Sequence, residues 1–261
     1  MIVACIIVRA KSKRLPLKPF RLLDEKKSIS ILDYMLANFS ILKSVDKVVI
    51  CTSWLAQDDI FEDYAKKHGV EIYRGDPNNP LERMLSVSER YKADYLVRVT
   101  GDNPFTDGDI VGRLVDFMRR DELDYSRALR LPVGVTPEVF SASLIRKLSK
   151  VKQIESEYLY IYAFNPDLYK CGILLPENDL SQYSLTVDTY QDLLRAKAFY
   201  SDLRTSGVNS LVAMANFFSG HEKIFKDNVL IKMPSSKTIS YSDFIFWQND
   251  QLSKSRILLM H

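Results

Sequence analysis

The chain has 261 residues, 46% hydrophobic and 11% aromatic, enough to bury one substantial core with at most an appended segment. A formal charge of +3 is too small for bulk attraction to nucleic acid or to a membrane surface, so neither is expected as a partner. Three cysteines, Cys5, Cys51 and Cys171, are scattered and odd in number, which argues against a disulfide framework and for a reducing, cytoplasmic setting.

In chain order, the apolar run at 2–8 has no basic residues before it and is too short for a membrane or secretory segment, so it reads as a buried strand. It leads directly into a loop with five cations, Arg9, Lys11, Lys13, Arg14 and Lys18. Val- and Ile-rich strands are expected at 47–52, 70–73 and 95–100, separated by helical periodicity at 30–42, 56–68, 81–92 and 108–120. This alternation predicts an α/β fold with a mainly parallel sheet. Residues 124–140 read as a loop containing Pro132, Gly134 and Pro137, followed by helices at 141–150 and 154–164. A strand is expected at 183–187, leading through Asp188-Thr189 into a helix at 190–206. No period is assignable after Val208, so we divide the chain into a domain at 1–207 and a C-terminal extension at 208–261 of unassigned role.

In an open α/β sheet, ligands bind beyond the carboxyl ends of the strands, and the basic loop falls there. Arg9, Arg14 and Lys18 in that loop, with Arg74 after the third strand, suit a polyanion such as a nucleoside triphosphate, which carries roughly four negative charges. Asp102 closes the fourth strand in Thr100-Gly101-Asp102-Asn103-Pro104, and Asp188 occupies a similar place in Thr186-Val187-Asp188-Thr189. Two aspartates above one phosphate site suit Mg²⁺. Each piece alone has a plainer reading: a solvated basic loop, an ordinary turn, a helix N-cap. Their convergence on one sheet edge favours a site. The chain contains neither a P-loop nor a dinucleotide-binding glycine pattern, and its three histidines have no metal-ligand spacing.

These residues resemble the nucleotide-diphospho-sugar transferases, and among them the cytidylyltransferases that activate acidic sugars. Residues 12–19 (Ser-Lys-Arg-Leu-Pro-Leu-Lys-Pro) are similar to the first-loop motifs of the 3-deoxy-manno-octulosonate and N-acylneuraminate enzymes. The SpsF-like branch is the best overall match, through Tyr73-Arg74-Gly75, the 97–104 stretch, Gly134 to Phe140, Glu155-Ser156-Glu157 and 185–189. The resemblance covers about residues 1 to 205 and implies a Rossmann-like three-layer α/β/α sandwich with a mainly parallel mixed sheet.

It further implies that Arg9, Ser12, Arg14 and Lys18 hold the phosphates of CTP and that Asp102 and Asp188 bind Mg²⁺. Arg74 and Arg83 would lie near the nucleotide, and Glu138 near an acidic sugar acceptor. Catalysis would rest on Arg14, Lys18 and Asp102. Arg127 and Arg130 are candidates for the acceptor carboxylate, and a homodimer through the region around 130–170 is expected. The chain departs from the branch at Lys11 and Leu17, where glycines are usual, in Gly134-Val135-Thr136-Pro137-Glu138, and at Tyr158 in place of a common His. Transfer to a phosphorylated alcohol or phosphonate, use of another nucleotide, and non-catalytic binding of a nucleotide sugar are the competing readings.

Overall fold

The computed structural model describes residues 1–151, 159–208, 210–222, 230–233 and 237–260. The first strand, β1 (Ile2–Ile7), is almost wholly buried, as its unbroken apolar sequence requires. After the basic loop, a short 3₁₀ turn (Lys18–Phe20) and the small hairpin β2 (Leu22–Asp24) and β3 (Ile29–Ser30) lead into α1 (Ile31–Ser40). Ser30 and Asp33 form a capping box that starts this helix. Then follow β4 (Lys47–Ser53), α2 (Ile60–His68), β5 (Glu71–Gly75), α3 (Pro80–Tyr91), β6 (Tyr95–Thr100) and α4 (Gly108–Arg120). Residues 56–68, expected as one helix, divide into a 3₁₀ turn at Ala56–Asp58 and α2.

The second half departs further from expectation. The stretch read as a loop at 124–140 holds two strands, β7 (Tyr125–Ala128) and β8 (Glu138–Ser141). Helices α5 (Ala142–Leu148) and α6 (Leu159–Ala163) come next; Glu155-Ser156-Glu157, Tyr158 and the expected helix start at 154 lie outside the described residues. Strand β9 (Cys171–Pro176) was not anticipated. The strand expected at 183–187 does not form: among the described residues its only ladder contact is one bridge between Val133 and Ser184. Its backbone serves other partners, with the Val187 amide donating to the Asp102 carbonyl at 2.8 Å.

Helix α7 (Tyr190–Ser206) and α8 (Ser210–Phe218) precede a second small hairpin, β10 (Leu230–Lys232) and β11 (Thr238–Ser240). The chain continues through α9 (Tyr241–Ser253) into β12 (Arg256–Met260), which pairs in parallel with β9. The tail therefore supplies an edge strand to the main sheet and does not stand apart from it.

The eight-stranded sheet runs β12-β9-β7-β8-β6-β1-β4-β5, with β8 antiparallel to both neighbours and the other described pairings parallel. Successive β1 residues face opposite layers. Ile2, Ala4 and Ile6 pack with α1, α2, α4, α7 and α8, whereas Val3 and Cys5 pack with α3, α5, α6 and the end of α9. This is the expected three-layer sandwich. All three cysteines are buried and unpaired, and among the described residues no helix is long and apolar enough to cross a membrane.

Candidate active site

The ends of β1 and β6 lie side by side, with the Gly101 amide donating to the Ile7 carbonyl at 2.8 Å. A Cβ on Gly101 would collide with the Val8 side chain, so only glycine lets the two strand ends approach this closely. The basic loop leaves β1 under two backbone restraints: Val8 donates to the Cys51 carbonyl at 3.2 Å, and Ala10 to Asp58 Oδ1 at 2.7 Å. Asp58 is fully buried, and its other oxygen accepts from the Ser53 hydroxyl. A buried carboxylate thus sets where the loop begins, a role the sequence offered no signal for.

The loop returns through Leu17, whose φ of 55° lies in the left-handed region, and enters the 3₁₀ turn that carries Lys18. The resemblance places a glycine at Leu17, and the backbone conformation gives the reason. Ser12 contributes inside the loop, its hydroxyl accepting from the Leu15 amide at 3.4 Å.

Lys18 is the centre of the site. Its side chain is 12% exposed, and its ammonium lies 2.6 Å from Asp188 Oδ1 and 3.5 Å from Asp102 Oδ2. Arg14, largely exposed, reaches the other Asp188 oxygen at 2.9 Å. Two cations and two carboxylates from three segments therefore meet at the carboxyl ends of β1 and β6. Thr100 Oγ1 donates to Asp102 at 2.5 Å and accepts from Asn103 Nδ2 at 2.9 Å. Asn103 Oδ1 accepts from Thr186 Oγ1 at 3.0 Å, and the Asp188 amide donates to Asp192 at 3.1 Å, in the cap of α7. These bonds hold the 186–188 segment against the end of β6 without a strand ladder. Gly134, at φ 93°, completes the packing: a Cβ there would lie 2.7 Å from the Thr186 amide nitrogen and 2.9 Å from Asn103 Oδ1.

The remaining expected residues take varied positions. Arg9 is exposed at the loop's start. Arg83 is 2% exposed; Nη1 donates to the Cys51 carbonyl at 3.0 Å, while its buried Nε has no hydrogen-bond partner. Burial, with a further push from the Arg9 charge, moves this guanidinium below its ordinary pKa. Arg74 is engaged elsewhere, bound to Glu62 at 2.6 Å, Asp59 at 2.5 Å and the carbonyls of Ser53 and Leu55. It braces α2 against β5 and does not join the Lys18 cluster.

Glu138 sits on β8, where it binds Arg98 and accepts from the Tyr125 hydroxyl at 2.8 Å. The Thr136 hydroxyl is turned to the backbone, accepting from the Ala128 amide at 3.0 Å. Arg127 lies on β7 beside this group, and Arg130 is exposed with a φ of 61°. The part played by Arg98 was missed, although a charge inside an otherwise apolar strand is itself a readable signal.

Comparison with known proteins places the chain in a family. A family model described as cytidylyltransferase matches residues 3–227. The chain is 34% identical over 202 residues to the spore coat polysaccharide biosynthesis protein SpsF of Bacillus subtilis, a match spanning 75% of this chain and 84% of that one. It is similar to the structure of a cytidylyltransferase from Leptospira borgpetersenii, with 26% identity, a TM-score of 0.75 and coverage of 86% and 98% of the two chains. The fold also matches a CMP:2-keto-3-deoxy-manno-octonic acid synthetase complexed with CTP, at 16% identity and a TM-score of 0.60, covering 77% of this chain and 98% of that one. With the match spanning most of its length, the chain belongs to the cytidylyltransferase family and is a nucleotidyltransferase.

Proposed function

We propose that this enzyme transfers CMP from CTP to a sugar acid, releasing pyrophosphate, on a route to surface polysaccharide. The observation that carries the reading is the Arg14–Asp188–Lys18–Asp102 cluster. Its formal charges cancel, which leaves it ready to exchange partners when a metal–triphosphate arrives. Support for CTP and for a sugar acid comes from the octonic acid synthetase, which shares the fold and is complexed with CTP, and support for polysaccharide from the SpsF relative.

The donor set fits a divalent cation. Two carboxylates on separate segments converge on one point, and a cationic group, the Lys18 ammonium, lies between them. Among the described residues no third acid, histidine or cysteine joins them. Phosphate oxygens and water would complete the shell, a mixture Mg²⁺ favours. Held by Asp102 and Asp188, the ion would supply charge stabilisation at the reacting phosphoryl oxygens.

The chain's own residues do the rest. Released from the aspartates, Lys18 and Arg14 hold the triphosphate and stabilise the charge that gathers on departing pyrophosphate. Arg9 and Ser12 line the same loop, and the under-bonded Arg83 guanidinium favours an anionic or carbonyl partner beside it. The acceptor hydroxyl attacks the α-phosphorus in line, so the protein contributes position and charge compensation and needs no covalent nucleophile.

The direct test is pyrophosphate release with Mg²⁺ and CTP, ATP, GTP or UTP, offering acidic keto-sugars beside phosphorylated alcohols and phosphonates. Release confined to CTP and a sugar acid is the expected result. Release only with a phosphorylated or phosphonate acceptor would replace the sugar-acid reading. Buried, unpaired cysteines support a cytoplasmic setting, and light scattering would test the homodimer that the family resemblance implies.

A further inference from the structure

The chain's two tryptophans stand in opposite settings. Trp247 on α9 packs against the rings of Tyr160, Phe164 and Phe244. Trp54, the first residue past β4, is 60% exposed, and among the described residues its indole makes no ring contact or hydrogen bond. A single exposed apolar side chain is ordinary on a protein surface. This one, however, is mounted on a backbone fixed from both sides. The Trp54 amide donates to the Gly75 carbonyl at 3.1 Å, and the Leu55 amide to Ser53 Oγ at 3.2 Å. Arg74 donates to the carbonyls on either side, Ser53 at 3.0 Å and Leu55 at 3.1 Å, and is itself held by Asp59 and Glu62. The indole is a large flat surface kept in water on a rigid mount, so little ordering entropy remains to be lost when a flat partner arrives.

The position in the sheet says which flat partner. The strand order β6-β1-β4-β5, at about 4.8 Å per strand, puts the end of β4 about 10 Å from the end of β6, where Asp102 lies. Asp58 ties the Trp54 segment to the basic loop, because the carboxylate that accepts from Ala10 also accepts from Ser53. A nucleotide whose phosphates meet Lys18 and Arg14, and which runs along the strand ends towards β5, brings its base to Trp54. That direction leaves β8 and β7, on the other side of β6, to the acceptor.

Resting on the nucleotidyl-transfer reading above, we propose that Trp54 is the platform on which the base of the nucleotide stacks. Every base has a π-face, so the contact supplies affinity and leaves the choice among bases to other groups. Arg74, which does not reach the Lys18 cluster, braces the platform from below through the two carbonyls it binds.

The test is calorimetry with Mg²⁺, comparing CTP with inorganic tripolyphosphate, which carries no base. The proteins are wild type, Trp54→Ala, Trp54→Phe and, as a surface control, Phe246→Ala, whose residue is 78% exposed. Trp54→Ala should weaken CTP by about tenfold or more and leave tripolyphosphate within about twofold, Trp54→Phe should lose less, and the control should match wild type. In Trp247→Phe, where Trp54 is the sole indole, CTP should quench the tryptophan fluorescence and tripolyphosphate should not. Unchanged CTP affinity in Trp54→Ala, an equal loss of CTP and tripolyphosphate, or absence of quenching overturns the platform. Trp54-dependent binding of ATP or GTP in place of CTP would uphold the platform and overturn the CTP reading instead.

Discussion

The Lys18 ammonium lies 2.6 Å from the Asp188 carboxylate, joining residues 170 positions apart in sequence. The same ammonium faces Asp102 at 3.5 Å, so one lysine neutralises the two carboxylates assigned to a metal. Lys18→Met removes that competitor. Divalent-ion affinity without nucleotide should rise, while CTP turnover falls by about 10²–10³, the usual cost of losing one preorganised charge donor. Calorimetry with Mn²⁺ and a pyrophosphate assay give the two readings, and a parallel fall in both would mean that Lys18 assists metal binding.

Leu17 holds a left-handed backbone at φ 55° and is 53% exposed, so it gains little from burial to offset the strain. Leu17→Gly should stabilise the protein by about 0.5–1 kcal/mol, the relief of left-handed strain less the extra freedom of the unfolded chain. Urea denaturation checks the sign.

Asp58 is buried and anchors both Ala10 and Ser53. Asp58→Ala strands a backbone amide and a hydroxyl, with an expected cost of about 2–3 kcal/mol. The first loop should loosen as well, raising the KM for CTP several-fold. A stability loss with an unchanged KM would separate Asp58 from the loop's function.

Burial alone would raise the Asp33 pKa, but hydrogen bonds from Lys67, Ser30 and His68 outweigh it and hold the carboxyl at about 2. The folded value lies below the unfolded one. The resulting stability is therefore complete above about pH 4 and lost as pH falls towards 2. Asp33→Asn should cost about 1–2 kcal/mol at neutral pH, allowing for solvent screening of the exposed Lys67. The gap from wild type should close between pH 4 and 2 in denaturant titrations.

The first half of the fold was legible because β1, β4 and β6 are apolar runs and α3 and α4 have clear helical periods, with caps at Asn79 and Asp107. The second half hid its strands for physical reasons. Strand β7 has four residues, one of them Arg127, and β8 opens on Glu138. Charge-paired rows break the apolar signal that marks a buried strand. Residues 183–187 carried the opposite error: alternating apolar side chains suggested a strand, yet the backbone bonds to Val133 and Asp102 in place of an extended ladder. In the site, Arg14, Lys18, Asp102 and Asp188 were readable because all follow strand-like runs. The engagement of Arg74 by Asp59 and Glu62 depends on how α2 packs, which no local pattern reveals.

The exchange of partners at Lys18 is tested most directly by measuring CTP affinity, by calorimetry, with Mg²⁺ and with EDTA, in wild type and in the Asp102→Asn/Asp188→Asn double variant. The account predicts that Mg²⁺ tightens CTP binding at least tenfold in wild type and has little effect in the double variant, whose lysine and arginine are already released. Equal affinity with and without Mg²⁺ in wild type, or an undiminished Mg²⁺ effect in the double variant, would contradict the assignment of Asp102 and Asp188 as the metal-holding pair.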